Sequence, residues 1–178
     1  MSILWNFLAL KVGWIISVSA AAHGVAWIGP LLVAVFVSAY LLLSERRTEE
    51  FLLVCAAVFM GTVWETFIIA SGTIDYAGFS SALPPPWIIG LWALFAISLT
   101  RSLAWMQTRL LLAATVGGLI VPASYLAGAA LGAAAIPAPL PFFLLQAIGW
   151  AILLPGLLWI ARNFVTQTSY PDGDRGYA

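Results

Sequence analysis

Long apolar runs, separated by short polar or proline-rich segments, dominate the hydropathy pattern of the chain. The runs predict six transmembrane helices, over residues 3–22, 24–43, 51–71, 86–105, 109–134 and 141–161. A helix rises about 1.5 Å per residue, so about 20 residues cross a hydrocarbon core of about 30 Å. The pattern therefore predicts an all-α fold, a polytopic membrane helical bundle. It occupies residues 1–165 as a single domain, and a flexible cytoplasmic tail follows over residues 166–178.

The fourth run is the most sharply bounded, because the three prolines at 84–86 precede it. Proline lacks an amide donor, so it stops a preceding helix but fits the first turn of a new one. Trp87 and Trp105, at the two ends of this run, are typical of membrane interfaces. In the second run, a helix that started at Pro30 would be only about 22 Å long. We therefore expect a kink at Pro30 or a re-entrant start.

Arginines are distributed asymmetrically between the connections. With six spans, the 44–50 turn, the 101–109 turn and the C-terminal tail lie on one side of the membrane. This side holds six arginines, namely Arg46, Arg47, Arg101, Arg109, Arg162 and Arg175. The three connections on the other side hold no Lys or Arg. By the positive-inside rule, both termini are expected in the cytoplasm.

The composition excludes several classes of protein. The chain is 63% hydrophobic and 8% charged, with a mean hydropathy of +1.03, whereas soluble domains carry about 25% charged residues. The net charge of zero, without a basic block, argues against nucleic acid as a partner. One cysteine and one histidine argue against a disulfide or a metal site built from imidazole and thiolate. We predict that the protein holds no metal and no cofactor. We expect membrane lipids as its partners.

Ionisable residues inside apolar runs are the strongest candidates for function, because they are costly in lipid. Glu65 lies about 9 Å inside the third span, and helical spacing places Gly61 and Thr62 on its face. Such a narrow, polar face indicates that Glu65 points into the bundle. We predict Glu65 as a catalytic acid/base, a proton-carrying group or a contact for a lipid head group. A structural ion pair or a buried hydrogen bond is the equally weighted alternative.

Lys11 is the second such residue, in the first span. Helix rise separates Lys11 from Glu65 by about 8 Å in depth, near the combined reach of the two side chains. Snorkelling of Lys11 to the cytoplasmic interface competes with that pair. The same arithmetic places four more polar residues in or near the outer half, beside Glu65: His23, Asp75, Tyr125 and Gln146. With Lys11, they form a predicted binding pocket that opens to the outer leaflet or periplasm.

Small residues recur every four positions in the fifth span, at Ser124, Gly128 and Gly132. Such a row lets a second helix approach closely. We expect another helix to cover this face, either from the same chain, from a membrane-protein partner or from a second copy in a homo-oligomer.

A string of motifs extends over most of the chain: Gly61-x-x-x-Glu65, Pro85-Pro86-Trp87, Leu91-Trp92, Phe95-Ala96, Ser102-Leu103-x-Trp105, Pro122-x-Ser124-Tyr125-x-x-Gly128 and Trp150-Ala151. This string, with Asn6 and Trp14 near the start, resembles a family of small bacterial inner-membrane proteins catalogued as a domain of unknown function. Family members more often have Asp at the position of Glu65, and a small polar residue or His at the position of Arg101. The resemblance implies a multi-pass protein of the bacterial inner membrane.

The resemblance also carries a functional expectation. Members of the family are often encoded beside genes that resemble cyclopropane-fatty-acid synthases and amine oxidases. This implies a part in lipid modification or envelope stress. The leading expectation is an integral inner-membrane protein of undefined activity that is an accessory to fatty-acyl or envelope lipid modification. Two alternatives are a membrane-embedded lipid-modifying enzyme that uses Glu65 as acid/base, and a small proton-coupled transporter. The enzyme requires a pocket that joins Glu65 to the lipid phase, whereas the transporter requires a polar route to both sides of the membrane.

Overall fold

A computed structural model describes residues 3–166 of the 178-residue chain. These residues form six α-helices: α1 (Ile3–Ala22), α2 (Ile28–Leu43), α3 (Arg47–Ala70), α4 (Pro86–Leu99), α5 (Leu110–Ala130) and α6 (Pro139–Ile160). A 3-10 turn spans Ala104–Met106, and a π-helical turn over Ala161–Thr166 follows α6. The predicted all-α membrane bundle is confirmed. The predicted tail, from residue 167 onward, lies outside the described residues.

Four of these helices, α1, α3, α5 and α6, are long and apolar enough to cross a membrane. Large apolar side chains cover their outer faces, such as Leu111 and Ile152, and such a surface requires a lipid environment. Helices α2 and α4 have 16 and 14 residues. At about 1.5 Å per residue they measure only about 24 Å and 21 Å. The chain is therefore a membrane protein with four long helices and two short ones.

Helix α4 ends at Leu99, six residues before the predicted end at 105. In a continuing helix the Ser102 amide would donate to the Ser98 carbonyl. Instead, both the amide and the hydroxyl of Ser102 donate to Oδ1 of the buried Asn6, at 3.3 and 2.7 Å. The Leu103 amide donates to the Ser98 carbonyl at 2.8 Å and closes the end of the helix. Helix α4 is short because α1 supplies the acceptor that terminates it.

Helix α2 begins at Ile28 rather than at residue 24, and Pro30 lies in its first turn. The missing amide donor of proline is not needed there. The predicted kink at Pro30 is therefore wrong, whereas the alternative of a re-entrant start stays a prediction. The preceding turn is made at Gly24, whose φ of 76° favours glycine.

Helix α4 is the centre of the bundle. Eight of its 14 residues are buried, and it packs against α1, α2 and α3. Helices α5 and α6 pack closely against each other. A Cβ atom at Gly117 of α5 would lie only 2.4 Å from the Trp150 carbonyl of α6, so glycine is needed for this approach.

A short β ladder joins two connections at one end of the bundle. Strand β1 (Asp75–Tyr76) pairs antiparallel with β2 (Ala134–Ala135), with Tyr76 opposite Ala134. The ladder fixes the 71–85 loop to the α5–α6 connection. We call this end of the bundle the β end. We call the opposite end the arginine end, because the helix termini there carry Arg46, Arg47, Arg101, Arg109 and Arg162.

Candidate functional site

Glu65 lies at the centre of a buried hydrogen-bond cluster and is 0% exposed. Its Oε2 atom accepts a hydrogen bond from the Tyr76 hydroxyl at 2.7 Å. Its Oε1 atom accepts hydrogen bonds from the Trp92 indole N–H at 3.3 Å and from the Tyr125 hydroxyl. All three partners are donors, which suits a carboxylate. We call Glu65, Tyr76, Trp92 and Tyr125 the Glu65 cluster.

The spacing of Gly61 and Glu65 explains how Trp92 reaches the carboxylate. Gly61 lies one helical turn before Glu65 on the same face of α3. A Cβ atom at Gly61 would lie 2.1 Å from the Trp92 ring, so only glycine leaves room for the indole. On its other face, Trp92 stacks on Trp150 with ring centroids 4.7 Å apart. The indole is thus held between α3 and α6, with its N–H directed at Glu65.

Tyr76 is placed by the β ladder rather than by a helix. Its ring packs edge-on against Trp87, with centroids 5.6 Å apart. Burial, and then the charge of Glu65, raise the pKa of Tyr76 well above its ordinary value. The Tyr76 hydroxyl therefore stays protonated and donates to Glu65. Trp87, which the sequence analysis placed at a membrane interface, is only 4% exposed and belongs to the interior.

A groove of about 560 Å³ adjoins the Glu65 cluster, between α1 and α5 and against α4. Its walls are mainly apolar and aromatic. Tyr76, Trp92 and Tyr125 are part of these walls, whereas the fully buried Glu65 lies behind them. Ile15 and Ile120, which also line the groove, are 54% and 61% exposed, so the groove opens on the side of the bundle. We call it the lateral groove.

Lys11 lies at the lateral groove and is exposed. Its Nζ atom is 5.5 Å from the centroid of the Phe7 ring, one turn earlier in α1. Within residues 3–166, Lys11 forms no salt bridge, so it does not pair with Glu65. The physical reason is that three donors from β1, α4 and α5 already surround the Glu65 carboxylate.

Gln146 lies beside the Glu65 cluster and is 0% exposed. Its Oε1 atom accepts a hydrogen bond from the Trp64 indole at 2.8 Å. Its amide nitrogen is buried and has no hydrogen-bond partner among the described residues. Gly149, one turn later in α6, leaves room for the Trp64 ring, which repeats the Gly61–Trp92 arrangement.

The other two predicted site residues lie apart from the Glu65 cluster. His23 is exposed, and its Nδ1 atom is 2.8 Å from the Ser19 carbonyl. Asp75 is exposed in β1 and lines an open cavity of about 660 Å³ in the 71–85 loop. The structure thus brings Tyr125 and Gln146 to Glu65, but not His23 or Asp75.

The small-residue row of α5 faces α1 and the lateral groove. Ser124 and Gly128 line the groove, and a Cβ atom at Gly128 would lie 3.8 Å from Val18 of α1. Gly132 lies beyond the end of α5, and its φ of 92° favours glycine, so the helix is shorter than the predicted span over residues 109–134. Contact of this row with a partner protein or a second copy stays a prediction.

Sequence reasoning missed a second polar cluster, at the arginine end. Glu50 is only 4% exposed, and its Oε1 atom lies 3.6 Å from Nη2 of Arg101. The Nε atom of Arg101 donates to the Tyr40 hydroxyl at 3.1 Å, and that hydroxyl lies 3.2 Å from Oγ1 of Thr100. The sequence predicts only polar turns around Glu50 and Arg101. The contacts of Arg101 with Glu50 and with Tyr40 join α2, α3 and the end of α4.

Comparison with known proteins places the chain in a family. A family model for proteins of unknown function matches residues 3–156, which include all members of the Glu65 cluster. The chain belongs to the DUF2878 family. The resemblance to an uncharacterised family is thereby confirmed. No curated protein and no solved structure matches this DUF2878 protein. Among its described residues, no group of three His, Cys, Asp or Glu side chains could hold a metal ion.

Proposed function

We propose that this DUF2878 protein binds the acyl chain of a membrane lipid in the lateral groove, as an accessory to fatty-acyl or envelope lipid modification in the bacterial inner membrane. The observation that carries the proposal is the groove itself. Its volume of about 560 Å³ falls within the range of about 300–1,000 Å³ typical of ligand pockets. Its opening lies between helices that are apolar enough to span a membrane, so a lipid enters it without crossing water.

The second candidate function is a membrane-embedded lipid-modifying enzyme. Tyr125 lines the groove and also donates a hydrogen bond to Glu65, so a proton could pass between Glu65 and a bound lipid through the Tyr125 hydroxyl. In this version Glu65 acts through Tyr125 and does not touch the substrate. The third candidate, a proton-coupled transporter, receives less support, because the groove walls are mainly apolar.

Photo-crosslinking tests the acyl-chain proposal. The protein is reconstituted in nanodiscs that contain a phospholipid with a diazirine in its acyl chain, and crosslinked peptides are mapped by mass spectrometry. We expect crosslinks at the groove residues of α1, α4 and α5. The Gly128→Leu variant should lose most of them, because its side chain enters the groove. Gly156→Leu on α6, where an added Cβ meets no atom within 4 Å, is the matched control. Equal crosslinking of both variants would contradict the proposal.

We also propose that all six helices lie across the membrane, with the arginine end in the cytoplasm. Five arginines of the described chain adjoin helix termini at that end, and cytoplasmic connections carry an excess of Lys and Arg. The short helix α4 fits this arrangement because it packs against α1, α2 and α3, so that protein rather than lipid surrounds most of it.

A further inference from the structure

Lys11 is a cation in an unusual place. It lies in the middle of α1, a helix long and apolar enough to span a membrane, and it is exposed. A charged side chain at such a position normally has a partner, because lipid does not solvate it. Among residues 3–166, Lys11 forms no ion pair, and its described contact is with the face of the Phe7 ring. A cation–π contact alone is a weak replacement for hydration.

The position of Lys11 relates it to the lateral groove rather than to the Glu65 cluster. Lys11 is the one charged side chain among the described residues that line the groove. Val18 faces Gly128 near the β end, and Lys11 lies seven residues earlier in α1, about 10 Å closer to the arginine end. The groove continues from there to Tyr76 and Tyr125. The ammonium group of Lys11 therefore lies along an apolar groove, at a distance from the polar groups of Tyr76 and Tyr125 in the same groove.

We propose that the ligand of the lateral groove is an acidic lipid, whose carboxylate or phosphate binds Lys11. Its acyl chain runs along the groove towards Tyr76 and Tyr125. This inference rests on the proposed acyl-chain function and adds the charge of the ligand. The acid group would neutralise Lys11 where the low dielectric makes an ion pair strong, and neutral or zwitterionic lipids would bind more weakly.

A competition experiment tests this charge preference. The diazirine phospholipid is crosslinked to the protein in phosphatidylcholine nanodiscs, in the presence of palmitate, phosphatidylglycerol or additional phosphatidylcholine. We expect an acidic lipid to displace the probe from the groove at a concentration about tenfold or more below that of phosphatidylcholine. If palmitate is the stronger competitor, the acid group that binds Lys11 is a free carboxylate. If phosphatidylglycerol is the stronger competitor, this group is a phosphodiester.

Three variants decide whether Lys11 is responsible. Lys11→Gln should remove the preference for acidic lipid, whereas Lys11→Arg should keep it. Arg47→Gln removes an exposed positive charge from α3, away from the groove, and should leave the preference unchanged. Equal competition by acidic and neutral lipids, or a preference that survives in Lys11→Gln, would overturn the inference. The Lys11 side chain would then only extend to the membrane interface, where water solvates its ammonium group. Crosslinks that remain in the groove would still support acyl-chain binding, whereas their absence from the unmodified protein would refute both proposals.

Discussion

Replacing Glu65 tests the hydrogen-bond cluster most sharply, because two substitutions at this position are expected to destabilise the protein by very different amounts. In Glu65→Leu, the donors of Tyr76, Trp92 and Tyr125 lose their acceptor. An unsatisfied buried donor costs about 1–3 kcal/mol. The tyrosine hydroxyls can rotate, and removing the carboxylate also removes its desolvation cost. We therefore expect a loss of about 3–5 kcal/mol in the free energy of unfolding, below the simple sum.

In Glu65→Gln the cluster keeps most of its bonds. The amide oxygen replaces Oε1 and accepts from Trp92 and Tyr125, and the amide nitrogen donates to the Tyr76 hydroxyl, which can also accept. We expect a loss of only about 1 kcal/mol. Because Lys11 does not pair with Glu65, Lys11→Met combined with Glu65→Gln should give additive effects.

Reversible unfolding in mixed micelles of dodecyl maltoside and sodium dodecyl sulfate, followed by circular dichroism, measures these differences. Glu45→Leu, which removes an exposed carboxylate at the arginine end, is the control and should change stability little. The reasoning is refuted if Glu65→Leu is as stable as the unmodified protein, or if Glu65→Gln is destabilised as much as Glu65→Leu. Strong non-additivity with Lys11→Met would instead indicate an ion pair.

Three further predictions concern packing, charge and topology. Gly61→Ala should destabilise the protein by about 1–3 kcal/mol in the same unfolding assay, because the new methyl group displaces the Trp92 ring; an unchanged midpoint would contradict this packing. Arg101→Gln should lower the free energy of unfolding by about 1–2 kcal/mol, less than the loss of a fully buried ion pair, because Arg101 is partly exposed. Adding Glu50→Gln should recover part of this loss. No recovery would show that the ion pair contributes little to stability. A cysteine at Ser80, in a cysteine-free background, should react with a membrane-impermeant maleimide on intact cells, and reaction only after permeabilisation would reverse the proposed orientation.

The sequence predicted the helices better than their contacts. Hydropathy runs located all six helices, because about 20 apolar residues are needed to cross a bilayer. The inward direction of Glu65 also followed from local spacing, since Gly61 lies one turn away on the same face. The early end of α4 could not be predicted, because the acceptor that terminates it belongs to Asn6, 96 residues before Ser102.

The partners of Glu65 were only partly predictable, for the same physical reason. Tyr125 was expected from its depth in the membrane, but Tyr76 reaches Glu65 through a two-residue β ladder that has no periodic pattern. Trp92 belongs to the motif string, but nothing in that string indicates that its indole reaches Glu65. The space that Gly61 leaves for the Trp92 ring is visible only in the structure. Lys11 and Glu65 were close enough in depth for their side chains to meet, yet depth does not determine which faces of two helices meet.

Fluorescence quenching by brominated lipids tests the central claim, that acyl chains occupy the lateral groove. Single cysteines replace Ser124 in the groove, Ile152 on the outer face of α6, and Ser80 in the 71–85 loop, in a Cys55→Ala background. Each is labelled with bimane and reconstituted in lipid with brominated acyl chains. Ile152 is 69% exposed and should be strongly quenched, whereas Ser80 should be quenched weakly. Acyl-chain occupancy predicts that the label at Ser124 is quenched nearly as strongly as that at Ile152; quenching at Ser124 no stronger than at Ser80 would contradict it.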